Sequence, residues 1–358
     1  MAGKPTFPHG PAGITAPWLS HVLGIAVDHV EVAAFGTGQT GAIYRVRFRS
    51  SRTAAARPET LVVKLPSQDE SVRARVALGY RAEHAFYRDV AHTVAVPVPT
   101  VHHCAIDRGG EDFVLVMADL VPAVQGDQLA GCDADVARLA VEALAGLHGP
   151  RWCDPAWLEF PAATMPKGNA DLARGLGELA GIATDTTIGR LGAKMATEDR
   201  HTLCEAAGLV ESWLLAEPAR FSLLHGDYRL DNLLIDPTDN SVTVVDWQTL
   251  SVGLPGRDLA YFLATCLQPA LRREHERRVV SSYHTALRRH GVRDYSEHEC
   301  WTDYRFGLLQ VPLITTLGFA FSAETDRGDD MVLAMLSRGC QALRDHDTFT
   351  LIRGLTDA

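Results

Sequence analysis

The chain has 358 residues, 46% of them apolar, with 34 Lys and Arg against 44 Asp and Glu, for a net charge of −10. That length and apolar content suffice for two lobes with buried cores, and the acidity argues against non-specific coating of nucleic acid or of an anionic membrane. The seven cysteines are scattered, odd in number and without a C-x-x-C pair, which predicts reduced thiols in the cytoplasm and neither a disulfide framework nor a zinc site.

Residues 1 to 14, rich in Pro and Gly, read as an extended arm with no apolar leader core, and no apolar run is long enough to span a membrane. A short helix is expected from Pro17 to Leu23, and a strand from Val27 to Phe35. Gly36-Thr37-Gly38-Gln39-Thr40-Gly41 follows. A dinucleotide-binding turn would need a helix after the third glycine. Here Ala42 to Arg49 alternate apolar and polar, which is the period of a strand. The unit is therefore a Gly-rich hairpin, able to lie over nucleotide phosphates because glycine permits positive φ and close approach.

Leu61-Val62-Val63-Lys64-Leu65 is a strand with one lysine inside an apolar run. Residues 70 to 90 read as a helix, with Val72, Val76, Leu78, Ala82, Ala85, Phe86 and Val90 on one face. Glu83 lies on this helix between Arg81 and Arg88, and Glu70 sits at its start, where it serves the helix dipole. The segment 94 to 101 is broken by prolines. Phe113 to Met117 is a strand, and Ala118-Asp119-Leu120-Val121-Pro122 a connection. Asp135 to His148 is a helix capped by Asp133 and stopped at Gly149. Residues 151 to 168 are irregular, and Trp152, Trp157, Phe160 and Met165 are either pocket lining or ordinary core. Residues 169 to 217 are helical in pattern.

The polar loops gather in residues 221 to 248, FSLLHGDYRLDNLLIDPTDNSVTVVDWQ. Leu223 and Leu224 lead into His225-Gly226-Asp227, and Asn232 follows five residues after Asp227. Leu233 to Ile235 and Val242 to Val245 are two short strands joined by a turn rich in turn formers. That hairpin brings Asn232 and Asp246 to neighbouring positions, where an amide oxygen and a carboxylate can hold a divalent cation with Asp227 close by. Only eleven residues, 247 to 257, separate Asp246 from a helix expected to be capped by Asp258. The last ninety residues read as three or four helices. Arg272, Arg273, Arg277 and Arg278 form a basic cluster, taken as a solvated face or as an anchor for an anionic substrate tail.

The wording HGDYRLDNLL…VVDWQ resembles the aminoglycoside phosphotransferase superfamily, and most of all its ecdysteroid-kinase-like and acyl-CoA-dehydrogenase-associated branch. The resemblance implies an α+β, two-lobed protein-kinase-like fold. Its N-lobe, residues 1 to 120, would be a small antiparallel sheet with one helix; its C-lobe, residues 121 to 358, would be mostly helical. It further implies an enzyme that moves the γ-phosphate of ATP, with Mg²⁺, to a hydroxyl of a small molecule. Asp227 would be the base and Arg229 a cation near the transferred phosphoryl. Asn232 and Asp246 would hold the metal. Gly36, Gly38, Gly41, Lys64 and its partner Glu83 would meet the phosphates, and the backbone at Met117, Asp119 and Leu120 the adenine. His225 would orient its loop. The missing activation segment and Ala-Pro-Glu motif disfavour a protein substrate. An aminoglycoside-specific enzyme and a silent nucleotide-binding pseudokinase are the alternatives.

Overall fold

The computed structural model describes residues 7–35, 41–50, 59–321 and 325–356. These fall into two compact units whose segments interleave along the chain. The first takes residues up to His92, then Val98–Val121 and Asp246–Gln248; the second takes Thr93–Pro97, Pro122–Val245 and the rest.

The first unit is built on five antiparallel strands: β1 (His29–Ala34), β2 (Gly41–Arg49), β3 (Glu59–Pro66), β4 (Val101–Ile106) and β5 (Phe113–Ala118), in the order β1-β2-β3-β5-β4. Strand alternation gives this sheet two apolar faces. Leu61, Val63, Leu65, Val114 and Val116 join Trp18 and Leu19 of helix α1 (Ala16–Leu23) in one core. Val62, Phe113, Leu115 and Met117 join Val76 and Tyr80 of helix α2 (Glu70–Ala85) in the other. Lys64 shares the parity of Val62, so it points toward α2. Val76, Tyr80 and Glu83 recur on α2 at four- and three-residue steps, so Glu83 lies on the stripe that faces the sheet. Leu78, expected on that stripe, is 64% exposed; it stands two residues from both Val76 and Tyr80, which turns it to the opposite side of the helix. After Ala85 the helix widens into a π turn, Phe86–Val90, and the Phe86 ring stacks on Trp247 with centroids 3.5 Å apart.

The second unit is mostly helical: α3 (Ala134–His148), α4 (Ala170–Leu191), α5 (Thr197–Leu215), α6 (Gly256–Cys266), α7 (Pro269–Arg289), α8 (Glu297–Gly307), α9 (Gln310–Phe321), α10 (Asp326–Asp345) and α11 (Thr348–Thr356). Short strands support its loops: β6 (Val124–Gln125), β7 (Ser222–Leu224), β8 (Leu233–Asp236), β9 (Ser241–Val244) and β10 (Ser251–Gly253). The expected hairpin is β8 on β9, with Leu233 opposite Val244. Asp133 caps α3 as expected, accepting from the Val136 N–H at 2.8 Å.

Two expectations fail here. Asp258 is not a cap: α6 begins at Gly256 and every one of its residues is buried, so the Asp258 carboxylate is spent on an interior loop. Nor does the basic cluster form one solvated face. Arg272 is fully buried and ion-paired with Glu276 and Asp345, and Arg273 also reaches Asp345. These partners already neutralise the two guanidiniums. Trp157 belongs to the core at 2% exposure. No helix among the described residues is long and apolar enough to cross a membrane.

Candidate active site

In the first unit a buried cation sits between two carboxylates. Lys64 Nζ lies 2.8 Å from Glu83 Oε2 and 3.0 Å from Asp246 Oδ1. Burial alone would lower the amine's pKa; Asp246 and Glu83 outweigh it and hold Lys64 above its ordinary value. Gln248 Nε2 donates to the same Glu83 Oε2 at 3.2 Å, and Lys64 Nζ also reaches Glu83 Oε1 at 3.0 Å. Glu83 is thus gripped by a cation and an amide, as a buried carboxylate must be. Asp246 has φ +67°, a left-handed conformation that aspartate tolerates better than most residues but at a cost on the order of 1 kcal/mol. Gly41 opens β2 against the lysine stem, where an added Cβ would stand 3.3 Å from Lys64 Cε. Met117 is in the buried interior strand β5, and Leu120 follows that strand. Asp119 turns its carboxylate to Arg45, 2.8 Å from Nε. Gly36 and Gly38 lie outside the described residues.

In the second unit an anion sits among donors. The loop after β7 makes a left-handed turn at Gly226, φ +84°. A Cβ there would stand 2.1 Å from the Thr249 carbonyl oxygen, so only glycine fits between His225 and Asp227. The Asp227 N–H donates to His225 Nδ1 at 3.3 Å, which leaves the ring proton on Nε2, 3.1 Å from the Val245 carbonyl. His225 is a brace with both nitrogens engaged. The Asp227 carboxylate accepts three hydrogen bonds. Oδ1 takes Tyr261 Oη–H at 3.0 Å; Oδ2 takes Arg229 Nε at 2.9 Å and Asn232 Nδ2 at 3.1 Å. Arg229 Nη1 also reaches Asp231 Oδ2 at 3.1 Å. Asn232 spends its Nδ2 twice, the second time on the Asp227 main-chain oxygen at 2.8 Å. Its amide oxygen, the atom that can ligate a hard cation, takes no part in these bonds.

A model of the phosphotransferase enzyme family matches residues 32–294, well over half of the chain. The chain belongs to that family. The chain is also similar over 66 residues, at 36% identity, to acyl-CoA dehydrogenase family member 11 of Gallus gallus, a stretch that covers 17% of this chain and 8% of that protein. Among solved structures it resembles a candidate aminoglycoside phosphotransferase of Ralstonia eutropha, with 18% identity, TM-score 0.52 and coverage of 92% of this chain and 97% of that one. It also resembles an ethanolamine kinase of Plasmodium vivax, with 11% identity, TM-score 0.51 and coverage of 87% and 82%. These likenesses show a kinase-like fold, and the fold alone.

Several residues that hold these groups escaped sequence reasoning. Asp258 accepts the N–H groups of His225 and Gly226 at 2.7 and 3.1 Å, and His148 Nε2 lies 3.4 Å from the same carboxylate with Tyr283 Oη 2.7 Å from its Nδ1. Burial opposes the charge on Asp258, but the hydrogen bond and charge of His148 and the His225 N–H overcome it, so its pKa lies below the ordinary value. Asp231 accepts from Arg229 and from the Gln128 N–H at 3.1 Å. Tyr261 and Gln248 complete the set. A signal existed for two of them: a carboxylate and a phenol inside the apolar run of α6 need partners when buried.

Proposed function

We propose that this phosphotransferase transfers the γ-phosphoryl group of ATP to a hydroxyl of a small molecule. The observation that carries the reading is the Asp227 carboxylate, held by three donors and still 22% exposed at its side chain. In the proposed reaction Asp227 accepts the hydroxyl proton as the new O–P bond forms. The bond from the γ-phosphorus to the β-bridging oxygen breaks, and ADP leaves. Arg229 lies against that carboxylate and would offset charge on the transferred phosphoryl. Lys64, kept protonated by Glu83, would neutralise the α- and β-phosphates, and Gly36, Gly38 and Gly41 would offer backbone N–H groups to them. The main chain at Met117, Asp119 and Leu120 would meet the adenine, since the Asp119 side chain is already committed to Arg45.

Asn232, whose amide oxygen takes no part in the hydrogen bonds above, and Asp246 are the residues that would hold Mg²⁺. Mg²⁺ needs only one or two protein ligands beside phosphates and water. When bound, it would neutralise and orient the phosphates. A hydrophobic alcohol or a hydroxyacyl thioester is the acceptor class we favour, on the HGDYRLDN wording and on the stretch shared with acyl-CoA dehydrogenase family member 11.

The test is MgATP turnover against aminoglycosides, choline, sterols and hydroxyacyl-CoAs, with Asp227→Asn alongside. Acceptor-dependent ADP release, lost in the variant, is the expected result. Failure to bind MgATP would overturn the reading.

A further inference from the structure

The two oxygens of Asp227 are unequal. Oδ2 receives two donors, Arg229 Nε and Asn232 Nδ2, for its two lone pairs; Oδ1 receives Tyr261 Oη–H alone. One acceptor site therefore remains, on Oδ1, and the side chain keeps contact with solvent. Resting on the phosphoryl-transfer reading above, we propose that Tyr261 is a positioning residue that fixes the plane of Asp227 so that Oδ1 is the atom that takes the proton of the acceptor hydroxyl.

The placement of Tyr261 supports this. It is three residues after Asp258 on α6, so both project from one side of the helix. Asp258 holds the main chain of His225 and Gly226, and Tyr261 holds the side chain of Asp227. One helix face thus fixes three consecutive loop residues. Tyr261 is 2% exposed, and its ring is packed in a helix without an exposed residue, so its hydroxyl has little freedom to follow a moving carboxylate. Burial, and then the nearby Asp227 charge, raise the phenol well above its ordinary pKa. It remains protonated at neutral pH, and a carboxylate can only accept. The direction of the hydrogen bond is settled: Tyr261 donates.

Tyr261→Phe keeps the ring and removes the hydroxyl, with its bond to Asp227 and its contact with Thr315; Thr315→Val alongside separates the two. The expected result is a kcat lowered on the order of ten- to hundredfold, from loss of alignment of the proton acceptor, with the KM for MgATP and the melting temperature unchanged. A merely structural tyrosine would shift the melting temperature or nothing. Crystal structures of the wild type and Tyr261→Phe give a readout independent of turnover: Oδ1 should lie within hydrogen-bond distance of Tyr261 in the wild type, and the Asp227 carboxylate should rotate in the variant. A wild type active on some acceptor, with Tyr261→Phe equally active, overturns the proposal. So does an Asp227 plane that is the same in both crystals. A wild type inert toward every acceptor overturns the functional reading instead, and the crystal pair still decides the role of Tyr261.

Discussion

The two units solve opposite electrostatic problems. In the first, a cation is enclosed by anions: Lys64 is 4% exposed, between Glu83 and Asp246. In the second, an anion is enclosed by donors, but Asp227 keeps its edge open. A fully buried ion pair is expensive to break, because the survivor is left charged and unsolvated. Asp227 is 22% exposed and its partner Arg229 keeps Asp231, so removing the Asp227 charge strands no ion and costs less stability. Damage in the first unit should therefore appear in both folding and turnover, and damage around Asp227 chiefly in turnover.

Asp227→Asn breaks the comparison most sharply. It should lower kcat by about 10²–10⁴-fold, the range for loss of a general base, while the urea midpoint moves little. A large loss of stability would erase the contrast between the units. Lys64→Ala should behave the other way. It strands Glu83, and unfolding titrations should report a loss of about 3–5 kcal/mol together with loss of turnover. Adding Glu83→Gln should restore much of the stability and none of the activity, which separates the fold's need for the pair from the reaction's need for the amine. Arg229→Ala should cost about 10²-fold in kcat, and unchanged turnover would remove Arg229 from the proposed machinery.

Gly226→Ala pushes a Cβ into a carbonyl at a left-handed φ. A loss of about 2 kcal/mol is expected, read as a lowered unfolding midpoint; a stable, active alanine variant would mean the loop can open at that point. The smallest effect concerns acid. The folded pKa of Asp258 lies below its unfolded value, so its contribution is fully present above the unfolded value near ~4 and disappears as the pH falls through the folded pKa. The groups facing it are His148 and the His225 and Gly226 amides. Stability measured from pH 6 downward should fall less steeply below pH ~4 in Asp258→Asn than in the wild type.

Much of this was legible in the residues. The Gly-rich segment followed by a strand, the lysine inside an apolar run and the aspartate five residues before an asparagine are local patterns with a local physical cause. They led to the kinase-like fold and the phosphotransferase family. The ion pair of Lys64 with Glu83 was expected, and it forms because both residues sit on apolar stripes that face each other. Leu78 misled because it is apolar but sits off that stripe.

What the sequence could not determine is which polar groups share one point in space. Asp258 reads as a cap because an aspartate near a helix start usually is one; its role as anchor of the His225-Gly226 backbone depends on a chain reversal over 33 residues. Only packing brings the Tyr261 hydroxyl to Asp227. Arg272 reads as surface until Asp345, far along the chain, covers it. Periodicity and turn chemistry act within a few residues and are written in order along the chain. Burial and hydrogen-bond partnership arise between residues distant in sequence, and they are decided only when the helices and strands pack.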